Sequence, residues 1–191
     1  MSMNSIKELA ENIAHIITES DSRLIAIDGR CASGKTVLAT ELKKILDCNV
    51  IHMDHFFLRP EQRTPERLNT PGENVDHERF LTEVFIPLKN KETVVYHPFV
   101  CKTMSFGEAI ELNAKKITII EGSYACHNSL YGYYDLHIFL DVSKEEQMTR
   151  IKLRDGDEKA EIFKSKWIPL EESYFSAFVI ADKCEFCFKT E

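Results

Sequence analysis

The sequence has no apolar run long enough to cross a membrane, because its longest apolar stretches fall far short of the roughly 20 residues that a spanning helix needs. Glycine and proline are scarce, at 7 and 6 of 191 residues, which excludes a collagen-like chain. Hydrophobic residues make up 43% of the chain, which is ordinary for a globular protein and excludes a disordered one. We therefore expect a single domain covering residues 1–191 and no membrane partner.

Positive charge is the scarcer sign in this chain. Lysine and arginine number 24 against 31 acidic residues, so the formal net charge is −7. A protein of that sign repels phosphate backbones, which disfavours nucleic acid as a partner. Residues 1–20 also lack the basic start, apolar middle and small-residue cleavage site of a secretory signal. We expect a cytoplasmic protein in which a local site holds any anionic ligand; a homo-oligomer is compatible with these features.

The cysteines show no disulfide framework. There are six of them at irregular spacing, which indicates reduced thiols. Cys184 and Cys187 form a single C-x-x-C motif, and no second pair completes a zinc site. Because the residues around this motif resemble a strand, a structural role is favoured over a metal or redox role.

Short apolar runs alternate with amphipathic helical patterns along the chain. This alternation predicts an α/β protein with a mostly parallel sheet covered on both faces. Residues 58–75 are rich in polar residues and proline, and we expect a long loop there. The runs that predict strands are Leu24–Ile27, Val50–Met53, Thr93–Tyr96, Ile117–Ile120, Leu136–Leu140 and Glu185–Phe188, and the patterns that predict helices are Ile6–Ile17, Val37–Leu46, Phe80–Leu88, Ser143–Arg154 and Trp167–Ile180.

Acidic residues follow four of the predicted strands. Because the carboxyl ends of parallel strands meet at one edge of a sheet, where ligands bind, we expect this edge to carry several carboxylates. The four residues are Asp28, Asp54, Glu121 and Asp141.

Residues 29–36 match the phosphate-loop pattern G-x-x-x-x-G-K-[ST], with an apolar strand before them and a helix after them. The glycines let backbone N–H groups point at phosphate oxygens, and the helix N-terminus adds its dipole. Lys35 would reach the outer phosphates, and the Thr36 hydroxyl would ligate Mg²⁺. The motif predicts an ATP and Mg²⁺ site formed by Gly29, Cys31, Ala32, Ser33, Gly34, Lys35, Thr36 and Val37.

Two of the strand-end acids suit phosphoryl transfer. Asp54 could position and deprotonate an acceptor hydroxyl beside the phosphate loop, and Glu121 could serve as the acid on the metal side. Each could instead be a strand-end cap or turn residue. For Asp141 the turn interpretation is favoured, because Ser143 starts a helix directly after it.

Arg150 and Arg154 lie four residues apart, on one face of a predicted helix that ends at a polar break, residues 155–159. Two guanidinium groups aimed at one place suit a triphosphate, and the break suits a lid that excludes water, at about residues 154–166. A solvated surface pair is the alternative for these two arginines. For Arg59, Arg63 and Arg67 of the long loop, solvated charge is the favoured interpretation.

Two further residues could contact an acceptor. Tyr96 lies in a segment of aromatic residues with polar tips, which fits a pocket wall and fits a partly buried edge equally well. Asp76 could bond the vicinal hydroxyls of a sugar, cap the following helix, or do both.

In order along the chain, these motifs resemble the uridine kinase-like branch of P-loop kinases, a family that includes phosphoribulokinase, bacterial pantothenate kinase and nicotinamide riboside kinase. The resemblance covers about residues 22–188. It rests on the strand and phosphate loop at 25–36, the Asp-x-Phe-Phe segment at 54–57, and the segments at 75–77, 96–101, 120–122, 139–141 and 150–155.

The resemblance implies a role for each matching residue. Ser33, Gly34, Lys35 and Thr36 would bind the ATP phosphates and Mg²⁺, and Asp54 would be the catalytic base. Glu121 would lie on the metal or acceptor side. Asp76 would hold ribose hydroxyls, with Phe57 and Tyr96 along the acceptor pocket, and Arg150 and Arg154 would clamp the phosphates from the lid.

We therefore expect an ATP-dependent kinase of a small molecule with a three-layer α/β/α P-loop kinase fold and a small lid. The favoured acceptor is the 5′-hydroxyl of a nucleoside such as uridine, and nicotinamide riboside or pantothenate are the alternative acceptors. A nucleotide-binding regulatory protein without acceptor turnover is a further alternative, against which the intact Asp54 and Glu121 argue. A nucleic-acid end-processing enzyme is disfavoured by the net charge.

Overall fold

The structure, a computed structural model, describes residues 3–191, with side chains described from Ser5 onward. Five parallel strands form one sheet in the order β2-β7-β1-β8-β9. Its strands are β1 (Leu24–Gly29), β2 (Cys48–His52), β7 (Ile117–Glu121), β8 (Leu136–Asp141) and β9 (Phe186–Lys189). The predicted parallel sheet is confirmed.

Helices cover both faces of this sheet, because successive strand residues point to opposite sides. Ile25 and Ile27 of β1 belong to a core with the amphipathic helices α1 (Met3–Glu19) and α2 (Lys35–Ile45). Ala26, between them, belongs to a second core on the other face. Residues between 53 and 96 contribute to that second core, as do the C-terminal helices α8 (Ile168–Phe178) and α9 (Ile180–Lys183). The predicted three-layer fold is confirmed.

The predicted loop at residues 58–75 is wrong in part, since it contains a 3₁₀ turn (Pro60–Gln62) and α3 (Pro65–Asn69). Local sequence explains α3, because Thr64 caps it by accepting a hydrogen bond from the Arg67 amide and Pro65 occupies its first turn. A longer helix follows, built from α4 (His77–Phe80), a π-helical turn (Leu81–Phe85) and α5 (Ile86–Asn90). Four short strands then pair in two small sheets: β3 (Val94–Tyr96) with β6 (Ile110–Leu112), and β4 (Phe99–Val100) with β5 (Ser105–Phe106).

The predicted polar break at residues 155–159 is shorter than expected. Helix α6 (Lys144–Asp155) ends at Gly156, whose φ of 84° interrupts the helix. Helix then resumes with α7 (Asp157–Ile162), because acidic residues in the first turn favour a helix N-terminus. A π-helical turn (Phe163–Trp167) joins α7 to α8. Across residues 3–191, no helix combines the length and apolar character of a membrane span.

Candidate active site

The phosphate loop joins β1 to α2 in a conformation that requires glycine at two positions. Gly29 has a φ of 138°, and a Cβ there would lie 2.1 Å from the Leu140 carbonyl oxygen. Gly34 has a φ of 98° and precedes the first turn of α2. Lys35 folds over the loop, and its Nζ donates hydrogen bonds to the carbonyl oxygens of Gly29 and Arg30 at 2.7 and 2.8 Å. This geometry places an ammonium group and the helix N-terminus at one anion-binding concavity.

Side chains from the C-terminal half of the protein hold the outer side of this loop. Arg150 donates to the Ala32 carbonyl at 3.2 Å and to the Thr190 carbonyl at 2.9 Å. Thr190 in turn donates through its hydroxyl to the Ser33 carbonyl at 2.6 Å. The phosphate loop is therefore tied to α6 and to the end of β9, elements that the motif itself does not include.

Glu171 of α8 brings a carboxylate against the same loop. It is 6% exposed, and it accepts hydrogen bonds from the Cys31 amide at 3.0 Å and from the Ser123 hydroxyl at 2.7 Å. Burial raises the pKa of the Cys31 thiol to about 12, and the charge of Glu171 adds to this shift. This environment disfavours the thiolate, which is the nucleophilic form of a cysteine.

Asp28 lies beneath the loop and is fully buried. It accepts hydrogen bonds from the amides of Gly29 and Cys126 at 2.6 and 2.9 Å and from the Tyr174 hydroxyl at 2.8 Å. Burial raises its pKa to about 6, although these hydrogen bonds act in the opposite direction. This acid joins β1 to the segment after β7 and to α8, and it does not face the ligand space.

The ends of β2, β7 and the phosphate loop meet at one carboxylate. Oε1 of Glu121 accepts a 3.1 Å hydrogen bond from the Thr36 hydroxyl and lies 2.5 Å from Nδ1 of His52. The hydrogen bond to Glu121 raises the pKa of His52. A hydroxyl and a carboxylate in contact beside a phosphate loop are oxygen ligands of the kind that Mg²⁺ prefers. The donor set therefore fits the predicted metal site.

Asp54 lies just beyond β2, in a 3₁₀ turn (Met53–Phe56), and is open to a cleft. Desolvation by the walls of this cleft raises the pKa of Asp54, and repulsion from Glu121 adds to the rise. Lys35 acts in the opposite direction. Asp54, Glu121 and Lys35 thus form one electrostatically linked group at the carboxyl edge of the sheet. The other two strand-end acids have different surroundings, since Asp28 is buried beneath the loop and Asp141 pairs with Arg30.

The cleft has a volume of about 1060 Å³ and extends from the phosphate loop to the π-helical turn that joins α7 to α8. It brings together most of the residues predicted for the site. Those that line it are Cys31, Ala32, Ser33, Gly34, Lys35, Thr36, Val37, Asp54, Phe57, Glu121, Arg150 and Arg154.

Asp76 and Tyr96 lie outside the lining of this cleft as residues 3–191 define it. Asp76 caps α4 by accepting a 3.1 Å hydrogen bond from the Arg79 amide, while its Oδ2 has no hydrogen-bond partner in the described part of the chain. Tyr96 is 2% exposed, and its hydroxyl lies 3.1 Å from Nδ1 of His55. Of the alternatives that the sequence left open, the structure shows Asp76 as a helix cap and Tyr96 as a buried residue.

The two arginines of α6 have different surroundings. The side chain of Arg150 is 20% exposed and is held by Glu146 at 2.8 Å as well as by the loop contacts. Arg154 is 55% exposed, pairs with its neighbour Asp155 at 2.8 Å and lies 5.7 Å from the ring centre of Phe163. Arg150 is therefore fixed against the phosphate loop, whereas Arg154 reaches the cleft from the segment that precedes the Gly156 break.

Sequence reasoning missed several residues that line the cleft. Ser123 and Tyr124 directly follow the strand-end Glu121 and could have been found from that position. Glu171, Lys166 and Trp167 come from a helix whose nearness to the loop no local motif signals. Asn74 is 5% exposed, and both polar atoms of its side chain lack a hydrogen-bond partner within residues 3–191.

Comparison with known proteins supports the resemblance stated above. The chain is 25% identical to a uridine kinase of Ureaplasma parvum serovar 3 over 174 residues, which cover 84% of this chain and 83% of that protein. It is 24% identical to a uridine kinase of Ureaplasma urealyticum serovar 10 over 176 residues, with the same shares covered. No protein-family model matches the chain.

Among solved structures, a Bacillus stearothermophilus protein described as a possible uridine kinase has the same fold. Its TM-score is 0.73 at 16% identity, with 96% of this chain and 99% of that chain covered. The α/β/α P-loop kinase fold is thus confirmed, as is the resemblance to the uridine kinase-like branch.

Proposed function

We propose that this protein, which has the P-loop kinase fold and resembles uridine kinases along most of its length, transfers the γ-phosphate of ATP to a hydroxyl of a small molecule. The favoured acceptor is the 5′-hydroxyl of a nucleoside. One observation carries the proposal: Asp54, Glu121 and the phosphate loop line the same cleft. Nucleotide binding needs the loop, but activation of a hydroxyl needs a carboxylate beside it.

The phosphate-binding residues fit ATP. The loop offers backbone amides at a helix N-terminus, and the Lys35 ammonium, held in place by two loop carbonyls, suits the outer phosphates. The Ser33 hydroxyl is buried and has no hydrogen-bond partner within residues 3–191, as expected of a group that a ligand completes. Thr36 and Glu121 would hold Mg²⁺, which when bound neutralises charge on the phosphate oxygens.

Asp54 acts as the general base in this proposal. Its raised pKa makes it a better proton acceptor than an ordinary aspartate, while Lys35 favours its ionised form. The acceptor oxygen forms a bond to the γ-phosphorus, the bond to the ADP oxygen breaks, and the hydroxyl proton passes to Asp54. Lys35, Arg150 and Arg154 stabilise the negative charge on the transferred group.

The acceptor end of the cleft favours a polar molecule with hydrogen-bonding groups. Asn74 presents an amide that can both donate and accept, and Phe57 offers an aromatic face. To bond a ribose, Asp76 would have to turn away from its capping position. If it keeps that position, its role would be to hold the start of α4 in place beside the cleft. The uridine kinases among the relatives support a nucleoside, whereas the −7 charge disfavours nucleic acid.

Mg²⁺-dependent release of ADP from ATP should be measured with uridine, cytidine, nicotinamide riboside and pantothenate. Turnover with one acceptor, lost by about 10²-fold or more in Asp54→Asn, would establish both the reaction and the base. Asp47→Asn is the matched control, because the Asp47 side chain is 89% exposed and pairs with Lys115 at the surface. If ATP raises the melting temperature but no acceptor stimulates turnover, a regulatory nucleotide-binding role replaces the kinase proposal.

A further inference from the structure

A second group of ligating side chains lies at the junction of two segments that flank the cleft. Glu73 lies near the end of the long 58–75 segment, His77 starts α4, and His127 belongs to the segment after β7. One ligand atom from each lies within 4.8 Å of those of the other two. Nε2 of His77 is 3.1 Å from Oε2 of Glu73, and Nε2 of His127 is 3.7 Å from Oε1.

The His127 nitrogen is the observation that points to a ligand. The side chain is 3% exposed, and its Nε2 is buried with no hydrogen-bond partner among the described residues. A buried polar atom without a partner costs free energy, so its presence requires a compensating contact. Nε2 faces Glu73 and His77, the two groups with which it could share an ion.

We propose that Glu73, His77 and His127 form a binding site for a divalent transition-metal ion of the zinc type. Two histidines and one carboxylate are a ligand set that zinc takes in proteins, with bonds of about 2.0–2.2 Å. Tetrahedral bonds of that length place ligand atoms roughly 3.4 Å apart. Nε2 of His77 lies 3.1 Å from Oε2 of Glu73, and Nε2 of His127 lies 3.7 Å from Oε1, on either side of this value. Imidazole ligands select against Mg²⁺, so this site would not compete with the one at Thr36 and Glu121.

Neighbouring groups orient two of the three ligands. The Arg67 guanidinium lies 3.5 Å from Oε2 of Glu73, which leaves Oε1 directed at His127. The His127 ring packs against Gly72, where a Cβ would approach its Cδ2 to 3.0 Å. Such outer contacts commonly fix the ligands of a metal site before the ion binds.

Metal binding requires two local changes. The rings of His77 and His127 are stacked, with centroids 4.2 Å apart and planes at 15°. One ring must therefore turn out of the stack for both nitrogen lone pairs to converge, and His77, at 13% exposed against 3% for His127, is the less buried of the two. Nδ1 of His127 accepts a 3.2 Å hydrogen bond from the Ser129 amide, which is lost when the ring proton moves from Nε2 to Nδ1. Both changes weaken the site, and we expect micromolar rather than picomolar affinity for Zn²⁺.

A metal here would join the two walls of the cleft. Asn74 follows Glu73 directly, and Ser123 and Tyr124 lie shortly before His127 in the same segment. The ion would therefore fix the long segment against the segment after β7. Its role would be to order the acceptor side of the cleft without contacting the reacting atoms.

The test is a calorimetric titration of the chelator-treated full chain with Zn²⁺ in the presence of excess Mg²⁺. We expect one Zn²⁺ per chain, with an affinity at least about tenfold weaker in Glu73→Gln and in His77→Gln. These two positions are partly exposed, so their variants should fold even if a His127 variant does not. At the same Zn²⁺ concentration, the ion should also raise the melting temperature of the wild type by more than that of Glu73→Gln.

His97→Gln and Cys187→Ser are the controls. His97 lies outside the cluster, with its Nδ1 3.0 Å from the Gly107 carbonyl, and Cys187 is an exposed alternative zinc ligand. Both variants should bind Zn²⁺ as the wild type does. Absence of stoichiometric binding, or binding lost in Cys187→Ser and kept in Glu73→Gln, would overturn the proposal.

Discussion

The hydroxyl of Thr36 donates a 3.1 Å hydrogen bond to the carboxylate of Glu121, which lies 85 positions further along the chain. The first residue belongs to the opening turn of α2 and the second ends β7. The contact exists because β7 is the neighbour of β1 in the sheet, with Glu121 in register with Ile27. Strand order thus places the Glu121 carboxylate beside the Thr36 hydroxyl. A cation bound to the phosphates would use both groups as ligands.

Glu121→Gln should raise the Mg²⁺ concentration required for half-maximal activity by about tenfold or more. The amide removes the negative charge that would attract the cation but preserves the shape of the side chain. Initial rates measured across a Mg²⁺ series test this expectation. Thr36→Ser, which retains the hydroxyl, should behave like the wild type, and Thr36→Val should resemble Glu121→Gln. Identical Mg²⁺ dependence in all four proteins would contradict a metal role for this pair.

Replacing Arg150 or Arg154 by alanine should have different effects on stability. Arg150→Ala removes hydrogen bonds to the Ala32 and Thr190 carbonyls, so we expect a loss of about 1–3 kcal/mol in the free energy of unfolding together with lower activity. Arg154 is mostly exposed and pairs with its own neighbour, so Arg154→Ala should change stability by less than about 0.5 kcal/mol. Its kcat should nevertheless fall if it meets the phosphates.

Thermal unfolding and steady-state kinetics on the same two variants separate these effects. An Arg154→Ala protein with unchanged kcat would identify that arginine as a solvated surface charge, the alternative that the sequence left open. Arg150→Lys is informative as well, because a lysine retains the charge but cannot form the forked contacts to two carbonyls.

The phosphate loop and the parallel sheet could be predicted because each is encoded by local sequence. Residues 29–36 carry their own motif, and the runs before and after them have the length and composition of a strand and a helix. The contacts of Glu171 with Cys31 and Ser123, and the contact of Asp28 with Tyr174, could not be predicted. Each joins positions more than 45 residues apart. No periodicity or spacing records such a pairing.

The errors in the predicted elements also have physical causes. Proline and polar residues at 58–75 are typical of a loop, yet Pro65 stands at a helix start, where its fixed φ is favourable. The acidic run after Gly156 looked like a break, but acids in a first turn stabilise a helix N-terminus. In both places the residue types suggest a loop, whereas the same residues favour a helix when they stand in its first turn.

Gly29→Ala should destabilise the fold by at least about 3 kcal/mol, because the added Cβ would lie 2.1 Å from the Leu140 carbonyl oxygen at a φ of 138°. Gly132→Ala is the matched control, since a Cβ there meets no described atom within 4 Å. We expect it to be neutral or slightly stabilising, by up to about 1 kcal/mol. Chemical denaturation measures both. Equal stability of the two variants would show that β1 and β8 can separate to admit a side chain.

Asp28 should make the stability of the protein depend on pH in a way that its asparagine variant does not. Its pKa is 3.8 without the fold and about 6 within it, because burial disfavours the charged carboxylate. Between these values the folded chain binds more protons than the unfolded chain. The contribution of Asp28 to the free energy of unfolding is therefore fully present below pH 3.8 and is lost as the pH rises towards about 6, by roughly 1.4 kcal/mol for each unit of pKa difference.

Denaturant unfolding of the wild type and of Asp28→Asn across pH 4–7 isolates this contribution, because groups that titrate in both proteins cancel in the difference. The wild type should lose stability relative to Asp28→Asn as the pH rises, even though the variant is less stable overall, since its amide cannot accept from both the Gly29 and Cys126 amides. Tyr174→Phe should extend the loss to higher pH, because the Tyr174 hydroxyl lowers the pKa of Asp28 in the folded protein and the unfolded value is unchanged. A pH-independent difference between wild type and Asp28→Asn would mean that the carboxyl stays ionised when buried, held by its three hydrogen-bond donors and the charge of Lys35.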